Sequence, residues 1–188
     1  MKLRKLYWHL RSYKYFIKFS KFGKYSYIDR PMFIDVNGGK VFIKDKFRVQ
    51  PGLRMELLDG NSAIEIGENV SIGQNFHITS GGKLKIGNNV TILGNVFLTN
   101  IDHDYKEIDK HILEQQNIIS ETNIGDNCFI GYGAAIQAGT KLGKQCIVGA
   151  NAVVRGEFPD YSVIVGVPAR VVKKYNSNTG KWERVNNQ

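Results

Sequence analysis

Four histidines and two cysteines are the side chains of this 188-residue chain best suited to acid–base or nucleophilic chemistry. Imidazole titrates near pH 6.5, so it can take a proton from a hydroxyl that is a poor nucleophile on its own. His103 has the most distinctive setting. It lies in Asn100-Ile-Asp-His-Asp-Tyr105, between Asp102 and Asp104, where a regular pattern gives way to about twenty residues of mixed polarity. Long excursions from compact repeats usually carry function. Neither aspartate can be named as the orienting partner of His103, because neighbours along a chain seldom share a face. His77 ends another regular unit, His9 sits in a basic N-terminal segment, and His111 lies inside the excursion. Cys128 and Cys146 read as small core residues. Their spacing admits a disulfide, but a reducing compartment disfavours one. The histidines and cysteines lack metal-ligand spacing, so no metal is expected.

The elements that position these residues are written in sixes. From Ile124 to Gly166 an aliphatic residue recurs every six positions: Ile124, Ile130, Ile136, Leu142, Val148, Val154. Glycine often follows it, and a small or aliphatic residue often takes the fifth place. A hexapeptide period indicates a parallel β-helix in which three hexapeptides make one triangular coil and stacking supplies the stability. The glycine is expected to serve the corner by adopting positive φ. Earlier units begin at Ile66 and Ile72. The side starting at Ile78 carries two extra residues before Ile86-Gly87, and His103 closes the hexapeptide that starts at Leu98. Residues 23–60 hold irregular short strands, read as degenerate early coils.

The repeat, the His-bearing interruption and the ending Val165-Gly-Val-Pro-Ala-Arg-Val171 together resemble the hexapeptide-repeat acyltransferases. Within that superfamily the chain is similar to the maltose- and galactoside-type sugar O-acetyltransferases, including those of surface-polysaccharide pathways. The resemblance spans roughly residues 60–172. It implies an all-β, left-handed parallel β-helix assembled as a homotrimer, with acetyl-CoA as acyl donor and a sugar or glycan as acceptor. It implies direct transfer, with His103 as the base and no covalent enzyme intermediate. Asp102 and His77 are placed with the acceptor. The related enzymes carry Asn at the position of His77, and a corner residue facing solvent or a subunit is the alternative there. Backbone at Gly131, Tyr132, Gly149 and Ala150 is placed along CoA, where small residues would let the chain approach it. Tyr132 could equally serve packing. Arg170 and Lys173 suit the CoA phosphates, or else belong to a solvated basic tail. Two other readings stay open: N-acetylation of an amino-sugar nucleotide, and a non-enzymatic hexapeptide protein.

Composition sets the remaining bounds. The net charge is +9, and residues 1–30 hold nine Lys or Arg against the single acid Asp29. The expected organisation is a basic aromatic helical segment over 1–30, a β-helix over 31–172 with its loop at 102–123, and a polar tail over 173–188, frayed or lightly docked. Residues 157–172 are expected to leave the helix. Leu3, Leu6, Tyr7, Leu10, Tyr13 and Ile17 fall on one helical face. Residues 1–22 either cap the open end of the prism or make peripheral membrane contact. Nucleic acid is not expected, for want of a recognisable motif. No run of about 18 apolar residues and no secretion signal is present, which suggests a cytoplasmic protein, at most peripheral at the inner membrane surface.

Overall fold

The computed structural model describes residues 2–185, with side chains from Tyr7 onward. The chain winds as a left-handed parallel β-helix with three faces. The first face has seven strands, from Lys21–Phe22 to Glu157–Phe158. The third has six, from Phe33–Asp35 to Val153–Val154. The second runs from Tyr27–Ile28 to Ser162–Gly166 and gains two antiparallel strands, Ala169–Asn176 and Lys181–Arg184.

The hexapeptide explains the prism. Its first and fifth residues point inward, so Ile124, Cys128, Ile130, Ala134 and Ile136 are all buried. Pairing stacks equivalent residues: Ile66 on Ile86, Ile86 on Ile124, Ile124 on Leu142. Each fully buried aliphatic side chain contributes roughly 1.5–3 kcal/mol of transfer free energy.

The glycine closes the corner differently from the expectation. A Cβ on Gly125 would lie 2.4 Å from the Gly143 carbonyl oxygen, and one on Gly67 would lie 2.4 Å from that of Gly87. Glycine is therefore needed because successive coils touch, not because φ is positive. The left-handed residue is the asparagine two places later: Asn69, Asn89 and Asn127 have φ of 57°, 56° and 59°. Asn visits this region at lower cost than most residues. Its side chain also bonds from coil to coil, with Asn69 Nδ2 donating to Asn89 Oδ1 at 2.9 Å.

Three boundaries differ from the sequence reading. The helix begins at Lys21, whose strand pairs with Lys40–Ile43, and not near residue 31. It continues through Glu157–Phe158 and Ser162–Gly166, so residues 157–166 do not leave it. The tail does not fray within the described residues; it forms the antiparallel pair Ala169–Asn176 and Lys181–Arg184. Local sequence conceals this pairing because, beyond Val172, its strands are largely polar and exposed.

At the other end, helix Lys2–Ser12 and the short helix Tyr15–Lys18 cover the first coil. Ser12 Oγ accepts the Ile28 N–H at 2.8 Å and donates to the Trp8 carbonyl at 2.7 Å. His9 Nδ1 lies 3.0 Å from the Ser26 carbonyl oxygen. Tyr15 and Phe19 are buried. The segment is thus a cap, but it caps with Ser12, Tyr15 and Phe19. Tyr7, Leu10, Tyr13 and Ile17 of the expected apolar face are exposed, and the Leu3 and Leu6 side chains lie outside the described set.

Cys128 and Cys146 are buried free thiols, not a disulfide. Their Sγ atoms donate to the Gly143 and Pro159 carbonyls at 3.1 and 3.2 Å. The adjacent Cys146 sulfur and burial push the Cys128 thiol far up, which leaves it inert as a nucleophile.

Candidate active site

The chain leaves the third face after strand Phe97–Thr99. Strand Ile101–His103 then pairs antiparallel with Asn117–Ile119, setting His103 opposite Asn117. The arm turns through a short 3₁₀ helix, Ile112–Glu114, which His111 caps by accepting the Leu113 N–H at 3.2 Å. Its base is pinned by Asn100, which is fully buried. Asn100 Oδ1 accepts the Gly81 N–H at 2.8 Å, its Nδ2 donates to Ser80 Oγ at 3.2 Å, and its carbonyl accepts the Ser120 N–H at 2.9 Å. A Cβ on Gly81 or Gly82 would meet the Ile119 side chain at 2.4 or 2.8 Å. The two extra residues before Ile86 therefore make room for the arm.

A groove of about 530 Å³ runs along the third face beneath the arm. His77 and His103 both line it, together with Asp35, Glu56, Phe97 and Asn117. His77 Nε2 lies 3.1 Å from Glu56 Oε2, and its ring centroid is 5.0 Å from that of Phe97. Arg54 grips the same carboxylate at 2.8 and 3.0 Å. Arg54, with His77 adding to it, holds the Glu56 carboxyl below the usual carboxylate range. The His77 ring is thus oriented by a fixed anion and an aromatic neighbour. His103 is exposed, and its imidazole makes no hydrogen bond among the described residues. Such a ring is open to an incoming hydroxyl.

Asp102 does not share this groove. Its Oδ1 accepts the His103 backbone N–H at 3.0 Å, and its Oδ2 pairs with Arg155 Nη2 at 2.9 Å. Asp102 and Arg155 line an adjoining hollow of about 150 Å³ with Gln137 and Ala138, which shares Phe97, Thr99 and Ile101 with the groove.

The four residues placed along the donor sit at the corner between the second and third faces, one coil apart. The N–H groups of Gly131 and Gly149 are spent on the Val148 and Ile164 carbonyls, both at 2.8 Å. The N–H groups of Tyr132 and Ala150 make no hydrogen bond among the described residues, and neither do those of Gln74 and Gly94 at the same place on earlier coils, so these amides are available as donors. Gly131 and Gly149 matter for stacking instead: a Cβ on Gly131 would lie 2.6 Å from Ala150 N, and one on Gly149 2.8 Å from Val165 Cγ1. The Tyr132 side chain lies across the corner, its hydroxyl accepting from Asn95 Nδ2. Arg170 pairs in register with Val165, next along the same edge. Lys173 pairs with Val163, farther down the strand and away from that corner.

His103 and the two free amides flank opposite edges of the third face. One face is about five residues wide, or about 17 Å at the rise of a β-strand. A single prism does not bring them together.

Glu56, Phe97, Asn117 and Arg155 were not singled out from sequence. Glu56 lies in a degenerate coil, 21 positions before His77, so no fixed period announces the contact. Phe97 did carry a readable signal. It stands one coil after His77 in the regular pattern, and that register placed it beside the ring.

Comparison with known proteins agrees with this architecture. Residues 121–156 match the family of bacterial transferase hexapeptide proteins (six repeats). The Escherichia coli (strain K12) protein WbbJ, which bears the name of a lipopolysaccharide biosynthesis O-acetyl transferase, is 34% identical over 79% of either chain. A maltose O-acetyltransferase of Clostridium difficile 630 is 30% identical, covering 76% of this chain and 72% of its own, with a TM-score of 0.58. A galactoside acetyltransferase in complex with coenzyme A is 28% identical, covering 72% and 66%, with a TM-score of 0.62. The fold and its arm define a transferase-type β-helix. The chain belongs to the hexapeptide-repeat transferase family, and it is an acyltransferase.

Proposed function

We propose that the protein transfers an acetyl group from acetyl-CoA to a sugar hydroxyl, with His103 as general base. The observation that carries this reading is the open His103 imidazole at the mouth of a groove that also holds His77, Glu56 and Phe97. The acceptor sugar lies in the groove, its ring face against Phe97 and His77. His103 takes its proton as the oxygen attacks the thioester carbonyl. An amide N–H at Tyr132 or Ala150 faces the developing oxyanion. The C–S bond breaks, and the CoA thiolate takes the proton back from the imidazolium. Arg170 is positioned to meet phosphate at the far end of the donor, whereas Lys173 is not in line with it. Asp102 acts through the arm, holding its stem to Arg155.

The reading requires a second prism, since one chain separates His103 from the free amides. We assign a homotrimer, each groove completed by the neighbouring copy. Tyr105, Ile108 and Leu113 support this, being large apolar side chains exposed on the arm. Among the described lining residues the groove holds Asp35 and Glu56 and no Lys or Arg. That favours an uncharged sugar unit over a nucleotide diphosphate at this position and argues against the amino-sugar-nucleotide reading. WbbJ suggests an acceptor in surface-polysaccharide synthesis.

The test is thiol release from acetyl-CoA against hydroxyl sugars and amino sugars, with His103→Ala beside the parent. Acceptor-dependent release that collapses in the variant supports the proposal. Release that ignores the substitution removes His103 as the base, and release with amino sugars alone overturns O-acetylation.

A further inference from the structure

The N-terminal cap leaves a surface that neither the prism nor the groove uses. The cap has two faces. Ser12, Tyr15 and Phe19 pack onto the first coil. The other face presents Tyr7, Leu10, Tyr13, Phe16 and Ile17 outward, with Ile17 93% and Leu10 67% exposed. A soluble surface seldom leaves so many large apolar side chains together without a partner. Arg11, Lys14, Lys21 and Lys24 are exposed beside them. The only acid within residues 7–30 is Asp29, which is 3% exposed and pairs with Arg30 at 3.5 Å. Residues 7–30 therefore form a patch that is apolar and aromatic at its centre and basic at its rim, with no exposed acid of their own, while Asp45 of the next coil accepts the Lys24 N–H at 2.9 Å.

We propose that this end of the prism docks on an anionic lipid bilayer, with the apolar side chains in the interfacial region and the lysines against head-group phosphates. Charge decides the occupant. A second copy of the same patch would bring like charges together, whereas an anionic membrane answers both the apolar centre and the basic rim. No helix of the described residues is long and apolar enough to cross the membrane, so the contact is peripheral. The geometry has a consequence for the acceptor. Strand Phe33–Asp35 belongs to the outermost coil, and Asp35 lines the groove. Docking by this end holds one mouth of the groove at the lipid surface, where a lipid-anchored glycan would be presented. The docking does not rest on the catalytic reading and is measured without turnover.

The experiment is co-sedimentation of the full chain with vesicles of phosphatidylcholine alone or mixed with phosphatidylglycerol, at low and physiological salt. Two pairs of exposed substitutions accompany it, Leu10→Ser with Ile17→Ser, and Lys14→Gln with Lys21→Gln. The parent is expected to bind the anionic vesicles, more weakly as salt rises, and to leave phosphatidylcholine in solution. Each lysine removed is expected to weaken partition about five-fold, and the apolar pair about ten-fold or more. Thermal melts matching the parent locate these losses in docking rather than folding. Equal binding to both vesicle types, no binding, or undiminished binding by both variant pairs overturns the proposal. So does a parent that forms higher assemblies through this patch, shown by sedimentation velocity and abolished by the same substitutions.

Discussion

The corners of the prism fall into two kinds. Those leaving the first and second faces are tight and repetitive. Glycine often lets one coil touch the next, a single residue (most often asparagine, elsewhere glycine, glutamine, lysine or tyrosine) takes the left-handed turn, and amide ladders tie the coils. The corner leaving the third face follows no such rule. It holds the Gly81-Gly82 insertion and the arm from Asn100 to Ser120, and it carries His103. Where the chain must close tightly, residue choice is consumed by stacking. Where the chain is given extra length, side chains are free for chemistry. The two kinds of corner should therefore respond to substitution in opposite ways.

The sharpest contrast is His103→Ala. Loss of a general base is expected to lower kcat by about 10²–10⁴-fold. The melting temperature should stay near that of the parent, because the ring is exposed and makes no hydrogen bond among the described residues. A large fall in melting temperature would erase the distinction between the corners.

Gly125→Ala should do the reverse. Its Cβ would sit 2.4 Å from a backbone oxygen that cannot swing aside. Overpacking of this kind costs about 1–3 kcal/mol or more, read as a lower midpoint in urea. Turnover per folded molecule should persist. Gly60→Ala is the matched control on the third-face corner, where the nearest atom to the new Cβ is 3.7 Å away. It should change stability by no more than about 0.5 kcal/mol.

Glu56→Gln tests the groove itself. It removes the anion that holds the His77 ring, so the acceptor KM should rise several-fold while the donor KM stays put. Its pH signature has a defined sign. The folded carboxyl titrates below its usual range. Its stability contribution is therefore present above about pH 4.3, the ordinary glutamate value, and is lost as pH falls through the lower folded value. The variant should lose that acid-side dependence in urea titrations between pH 5 and 3.

Arg155→Ala should have the smallest effect. An exposed ion pair such as Arg155–Asp102 is worth about 0–1 kcal/mol. Any loss of activity beyond that points to Asp102 positioning the arm.

Much of the architecture was legible beforehand because a period of six is a physical statement. Each inward aliphatic must land on another, so Ile124, Ile130 and Ile136 imply their own stacking. The family match and the acyltransferase class follow the same pattern. The glycine was legible as a corner residue but not in its reason. Only three-dimensional stacking shows that Gly125 faces the Gly143 oxygen while Asn127 takes the left-handed turn. The boundaries at 21 and 166 were obscured where the period degenerates. The amphipathic stripe of the N-terminal segment was legible, but which face would turn inward was not. Ser12, a polar residue, anchors the buried side through hydrogen bonds that hydrophobic periodicity cannot register.

The sequence by itself determined the prism, its interruption after Thr99 and the residue types available there. A local, repeating rule can be read without knowing what lies above or below. The tertiary structure decided which of those residues meet. It set Glu56 and Phe97 against His77, paired Asp102 with Arg155 and the His103 backbone N–H rather than with the imidazole, and left Tyr132 and Ala150 with free amides while spending those of Gly131 and Gly149. The contacts of Glu56 with His77 and of Asp102 with Arg155 join residues 21 and 53 positions apart, so no period encodes them. Only the lateral register of stacked strands does.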